Sequence, residues 1–89
     1  MKAVENYIGA IVVVDLSSPF VCIGTLTDVS DKVLVLSDAD LHDLRDTPTN
    51  RENYVADSKF SGVKKNRTRV LVMVREVVAV SRLDDVVDE

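Results

Sequence analysis

Four positive charges fall within six residues, Lys64-Lys65-Asn66-Arg67-Thr68-Arg69. A run like this can track a phosphate backbone, because cations that neutralise phosphates release condensed counterions. It reads equally as a solvated strand entry that offsets nearby acids. An opposite cluster, Asp38, Asp40, His42, Asp43 and Asp46, sets oxygen and imidazole ligands close together. Divalent cations accept such donors, but only where the donors converge, and alternate residues of a strand point apart. His42 is the chain's one histidine, a thin basis for zinc. The run reads as a charged loop bridged to Arg45 and Arg51, and no metal is assigned. Cys22, the one cysteine, lies in an apolar strand, where thiols are inert. Neither a Ser/His/Asp nor a Cys/His set has a workable frame, and no glycine-rich phosphate loop exists. The expectation is no catalytic residue, no cofactor and no enzymatic activity.

Something must position these groups, and composition limits what it can be. The chain has 89 residues, one domain's worth. A domain of this size buries only about 60–65% of the surface its unfolded chain exposes, so association with further copies would relieve a thin core. Hydrophobic residues make up 46% of the chain and aromatics 4%, with valine prominent. Branched side chains suit a pleated surface better than a helix. The net charge of −4 opposes nucleic acid and anionic membranes on average. The apolar run from Ile8 to Val14 is too short for a membrane span, and the expectation is a cytoplasmic protein that does not bind membranes.

Periodicity supplies the elements. Met1 to Tyr7 can form one helical turn, which Gly9 stops. Residues 10–16, apolar on both faces, read as a first strand. Ser17-Ser18-Pro19 is a turn. Residues 20–28 form a second strand, with Gly24 marking a sharp bend inside it. After the turn Ser30-Asp31-Lys32, residues 33–38 give a third strand, completing an antiparallel meander. Residues 39–66 form a polar insert without alternation. Asp40 to Asp46 suggests a turn of 3₁₀ helix. Thr49 and Glu52 stand at capping-box spacing, and Pro48 and Gly62 bracket a helix over Asn50–Ser61. Residues 67–74 and 77–83 form the last two strands around Arg75-Glu76. The acidic tail 84–89 is expected to fray.

One spacing is more specific than the rest: Ile8-Gly9, then Val12, Val14 and Leu16, then Gly24 and Leu26. It resembles the first sequence motif of the Sm and Sm-like (LSm) family, and Asp38-Ala39 is similar to that motif's usual end. The second motif, apolar residue then Arg-Gly, is matched by Val74-Arg75, but Glu76 replaces the glycine. The resemblance covers the strands and leaves out the insert. It implies an all-β fold, a small, strongly bent five-stranded antiparallel barrel with an N-terminal helical turn, to which the insert adds the helix read above between strands three and four. A five-stranded barrel of the Src-homology type shares much of the pattern.

The resemblance also implies an assembly and a ligand. Sm-like subunits pair strand four of one copy with strand five of the next. Here both are nearly all apolar, and an apolar edge strand left in water invites uncontrolled pairing. Strand addition between copies that closes on itself gives a ring, with Val70, Val72, Val74, Val78 and Val80 as interface residues. A monomeric barrel with both strands central is the plainer alternative.

Family members that bind uridine-rich RNA stack a base on an aromatic, His or Met side chain in the turn before strand three. A nearby Asp and Asn and the Arg of the second motif complete the pocket. Here that turn reads Val29-Ser30-Asp31-Lys32-Val33-Leu34. Asp31 matches the Asp and Arg75 the Arg, but no aromatic and no Asn follows. Stacking contributes roughly 1–3 kcal/mol per base, so the loss bears on function. Candidate nucleic-acid contacts are Asp31, Lys32, Arg75, Lys64, Lys65 and Arg67. Two readings stay open: a homo-oligomeric ring associated with RNA through an altered pocket, and a structural or protein-interaction ring without nucleic acid.

Overall fold

The computed structural model describes residues 2–87. A single helical turn, α1 (Lys2–Glu5), precedes β1 (Ile11–Leu16), β2 (Phe20–Val29) and β3 (Val33–Asp43). The helix α2 (Arg51–Ser61) follows, then β4 (Arg67–Met73) and β5 (Val77–Arg82). Short 3₁₀ turns at Leu44–Asp46, Val74–Glu76 and Leu83–Asp85 link or end these elements. Among the described residues no helix is long and apolar enough to cross a membrane.

All five strands lie in one antiparallel sheet of order β4-β3-β2-β1-β5. β4 and β5 are therefore its two edges and do not pair with each other. The expected bend is built where Gly24 lies, one of two places at which the register of β2 on β3 shifts. Ile23 pairs with Asp40 and Thr25 with Ser37, so Gly24 on β2 faces two residues, Asp38 and Ala39, on β3. That is a β-bulge, which bends the strand that carries the extra residue. Asp38 takes the positive φ of 47° that the bulge requires; Asp is among the few side chains that tolerate this region.

The bulge also explains where the sequence reading of β3 stopped short. Leu34 and Leu36 point into the core before it, Ala39 and Leu41 after it. The parity flips at Asp38, which hides the alternation. β3 continues to Asp43, paired with Phe20, so the insert spans 44–66 rather than 39–66. The 3₁₀ turn is confined to Leu44–Asp46.

β1 and β2 are apolar on both faces because each face is covered. Val12, Val14, Cys22, Leu26, Leu34, Leu36, Ala39 and Val72 form the inner core. Val13, Val21 and Ile23 face the other way, onto Val55 of α2 and Leu83 after β5. Each fully buried aliphatic side chain stabilises the fold by roughly 1.5–3 kcal/mol relative to exposure. α2 is thus a second layer over one sheet face. Its N-cap is Asn50, whose side chain accepts from the Asn53 amide at 2.8 Å, and not the Thr49–Glu52 box. Asn does this as well as Ser or Asp because its carbonyl reaches the free amides of the first turn.

The start of the acidic tail is docked through Val86, and Val87 beyond it is 78% exposed. Leu83 is buried, and Lys59 Nζ on α2 donates to the carbonyls of Asp84 at 3.2 Å and Val86 at 2.6 Å. Apolar burial and a charge-assisted clamp outweigh the fraying expected from charge alone. Asp88 and Glu89 lie outside the described residues.

Candidate functional site

The turn between β2 and β3 is fixed from within. The Ser30 amide donates to the Val33 carbonyl at 2.9 Å. The Ser30 hydroxyl oxygen accepts from the amides of Lys32 at 3.3 Å and Val33 at 3.1 Å. The Lys32 carbonyl then accepts from the Val74 amide at 2.9 Å, which ties this turn to the one between β4 and β5. Two segments far apart in sequence meet here. Asp31, Lys32, Met73 and Arg75 line an open cavity of about 240 Å³ at the junction. Its walls offer two cations, one carboxylate and one thioether.

Glu76, which stands where the family pattern has glycine, does not enter this cavity. Its carboxylate accepts from the Ser17 hydroxyl at 3.0 Å, and its carbonyl accepts from the Ser17 amide at 2.8 Å. The substitution braces the turn against the β1–β2 connection, and Arg75 keeps its place beside Lys32.

The other three basic candidates lie elsewhere. β3 and β4 run from Val33 opposite Met73 to Ala39 opposite Arg67, so Arg67 sits at the far end of the strand pair from Arg75. Lys65 Nζ is 3.3 Å from Asp38 Oδ1. Lys64 borders a concavity with Asp40, Tyr54, Asp57, Ser58, Ser61 and Gly62. Arg67 donates to the Asn66 carbonyl at 3.1 Å. The six candidates thus form two separate groups, not one continuous surface.

The acidic run is a structural network. The Arg45 guanidinium donates to both Asp43 oxygens, at 2.9 and 2.8 Å. These bonds, with the Arg45 amide, hold the Asp43 carboxyl down at about 2. Arg51, expected to serve this run, instead reaches Asp15 on β1 at 3.1 Å. Asp40 is buried and accepts from the Tyr54 hydroxyl and, at 3.1 Å, from the Asn66 amide. Burial first, then the Asp40 carboxylate, raises the Tyr54 phenol well above its ordinary value. The His42 ring stacks on Tyr54 at 4.0 Å between centroids. Among the described residues no group of three or more His, Cys, Asp or Glu is arranged to hold a metal ion. Cys22 is fully buried, and burial pushes its thiol up to about 12, far from a reactive thiolate.

The open edges present different side chains from those the sequence suggested. Val72 belongs to the inner core, and Val70, Val74 and Val80 pack against it. Of the five valines assigned to an interface, only Val78 is largely exposed, at 69%. Leu71 and Met73 are the exposed apolar residues of β4. The period of two along a strand carried this information: with Val70 and Val72 inward, Leu71 and Met73 must face out.

No protein-family model matches the sequence, and no curated protein matches it. Among solved structures, the chain is similar to the Sm protein of Pyrococcus abyssii, determined in complex with a uridine heptamer. The match has a TM-score of 0.63 at 19% identity and covers 91% of this chain and 93% of that one. Strand order, bulged bend and the helix between β3 and β4 accordingly give this chain an Sm-like fold.

Proposed function

We propose that the chain is a non-enzymatic, ring-forming subunit that associates with RNA through the cavity of Asp31, Lys32, Met73 and Arg75. The observation that carries the ligand half is the Val74–Lys32 backbone bond, which brings two cations and a carboxylate to one concavity. The Sm protein that shares the fold was solved with a uridine heptamer. The assembly half is supported by the two unpaired edges, β4 and β5. Edges of this kind recruit further strands unless they are blocked. Leu71 and Val78 leave apolar surface along them.

Light scattering at micromolar protein and moderate salt tests the assembly, which predicts a mass several times that of one chain. A mass of one chain rejects it. Electrophoretic mobility of short RNA at low salt tests the ligand. Binding that weakens steeply as salt rises is the expected result, and unchanged mobility at low salt rejects RNA. The net charge of −4 favours a second reading, a ring that contacts only protein. A multimer that leaves RNA mobility unchanged would establish that reading over the first.

A further inference from the structure

The turn before β3 offers no flat or polarisable side chain, yet the cavity beside it contains one. We infer that Met73, at the outer end of β4, is the platform on which this cavity receives a nucleobase. The inference rests on the RNA reading above and adds a base-contacting residue to it. Three of the four lining residues are charged, and Met73 is the only apolar one. Met73 is 40% exposed, and its place is fixed by its pairing with Val33 and by the bond between Val74 and Lys32. A cavity of cations alone would suit phosphate. The exposed thioether adds a soft face that attracts aromatic rings.

The remaining groups limit the base. The Asp31 carboxylate offers acceptor oxygens, so it favours a base with a ring N–H. Uracil and guanine have one; adenine and cytosine do not. Lys32 and Arg75 meet no carboxylate among the described residues, which leaves both free for carbonyl or phosphate oxygens. The Glu76 carboxylate is held by Ser17 and does not compete for them.

The test compares fluorescence anisotropy of a labelled uridine oligomer with that of an abasic oligomer of equal length, for the unmodified chain and Met73→Ala. Met73→Ala should weaken the uridine oligomer about three- to tenfold and leave the abasic one unchanged. Equal loss on both oligomers, or none on either, overturns the platform while the RNA reading stands. If the unmodified chain binds neither oligomer at low salt, the RNA reading falls and takes the platform with it. A second readout needs no variant. The chain has two methionines, Met1 and Met73, so methyl-labelled protein gives two resolvable signals. Uridine should shift the Met73 methyl upfield by ring current, and a Met73 signal that stays put as the oligomer binds overturns the proposal. Met73→Leu, which keeps apolar volume at the edge, guards against misreading a folding defect. It should retain part of the affinity, and loss as complete as in Met73→Ala with an intact fold supports a role for the sulfur itself.

Discussion

Gly24 and Ala39 touch where the sheet bends. A Cβ built on Gly24 would lie 2.7 Å from the Ala39 Cβ and 2.9 Å from its Cα. No real side chain fits there without moving backbone. The contact is the inside of the bulge that curves β2 against β3, so the glycine is required by close approach.

Gly24→Ala should therefore destabilise the fold by about 1–3 kcal/mol, the range for overpacking a tight site, with urea unfolding as the measurement. Ala39→Gly in the same chain should recover part of the loss, because it removes the atom that the new methyl meets. Failure of the second change to help would mean that Gly24 serves something other than this contact.

Asn66 stands in for a strand residue. Its side-chain oxygen accepts from the Leu41 amide at 3.0 Å, and its amide donates to the Leu41 carbonyl at 3.1 Å and to Asp40. It extends the β3–β4 pairing one step past Arg67. Asn66→Ala should cost about 1–3 kcal/mol, because it leaves buried Asp40 short of a donor. Hydrogen exchange at Leu41 should accelerate more than exchange at Leu34, at the other end of the pair. Uniform acceleration along β3 would contradict this local role.

The two candidate caps of α2 separate cleanly. Asn50→Ala should lower stability by about 1 kcal/mol, read from the thermal or urea midpoint. Thr49→Ala should change it little, since the Thr49 hydroxyl donates only a long 3.5 Å bond, to the Asn50 carbonyl. The reverse order would restore the capping box that the sequence suggested.

Alkaline pH should weaken the fold. The folded-state values of Cys22 and Tyr54 are both raised, so each group favours its neutral form when folded. Their contribution is fully present below the unfolded values. For Cys22 it is lost as pH rises from 9.0 towards about 12. Each group can remove at most about 1.4 kcal/mol per pH unit across its window. The urea midpoint should fall between pH 8.5 and pH 10.5, and less steeply in Cys22→Ala. An unchanged slope in that variant would show that Tyr54 alone carries the effect.

The meander was legible in the sequence because its determinants are local. Valines on both faces of β1 announced cover on both sides, and Gly24 announced the bend. Gly9, with φ of 95°, turns the chain into β1, although α1 ends earlier than expected, at Glu5 and not at Tyr7. The far end of β3 was not legible, because one bulge at Asp38 reverses the parity of every later side chain. The cavity was only partly legible. The family resemblance pointed to Asp31 and Arg75, with Lys32 beside them, but could not show that Met73 joins them, or that Lys64, Lys65 and Arg67 lie apart. Those outcomes depend on the register of β3 on β4 across the whole insert and on the single bond from Val74 to Lys32. The direction of the Glu76 carboxylate likewise depends on Ser17, which only the folded chain brings alongside it. By itself the sequence determined which residues turn, bend and face inward. The tertiary structure decided which charges share a cavity, because pairing register between distant strands is set by the packed core and not by neighbours in the chain.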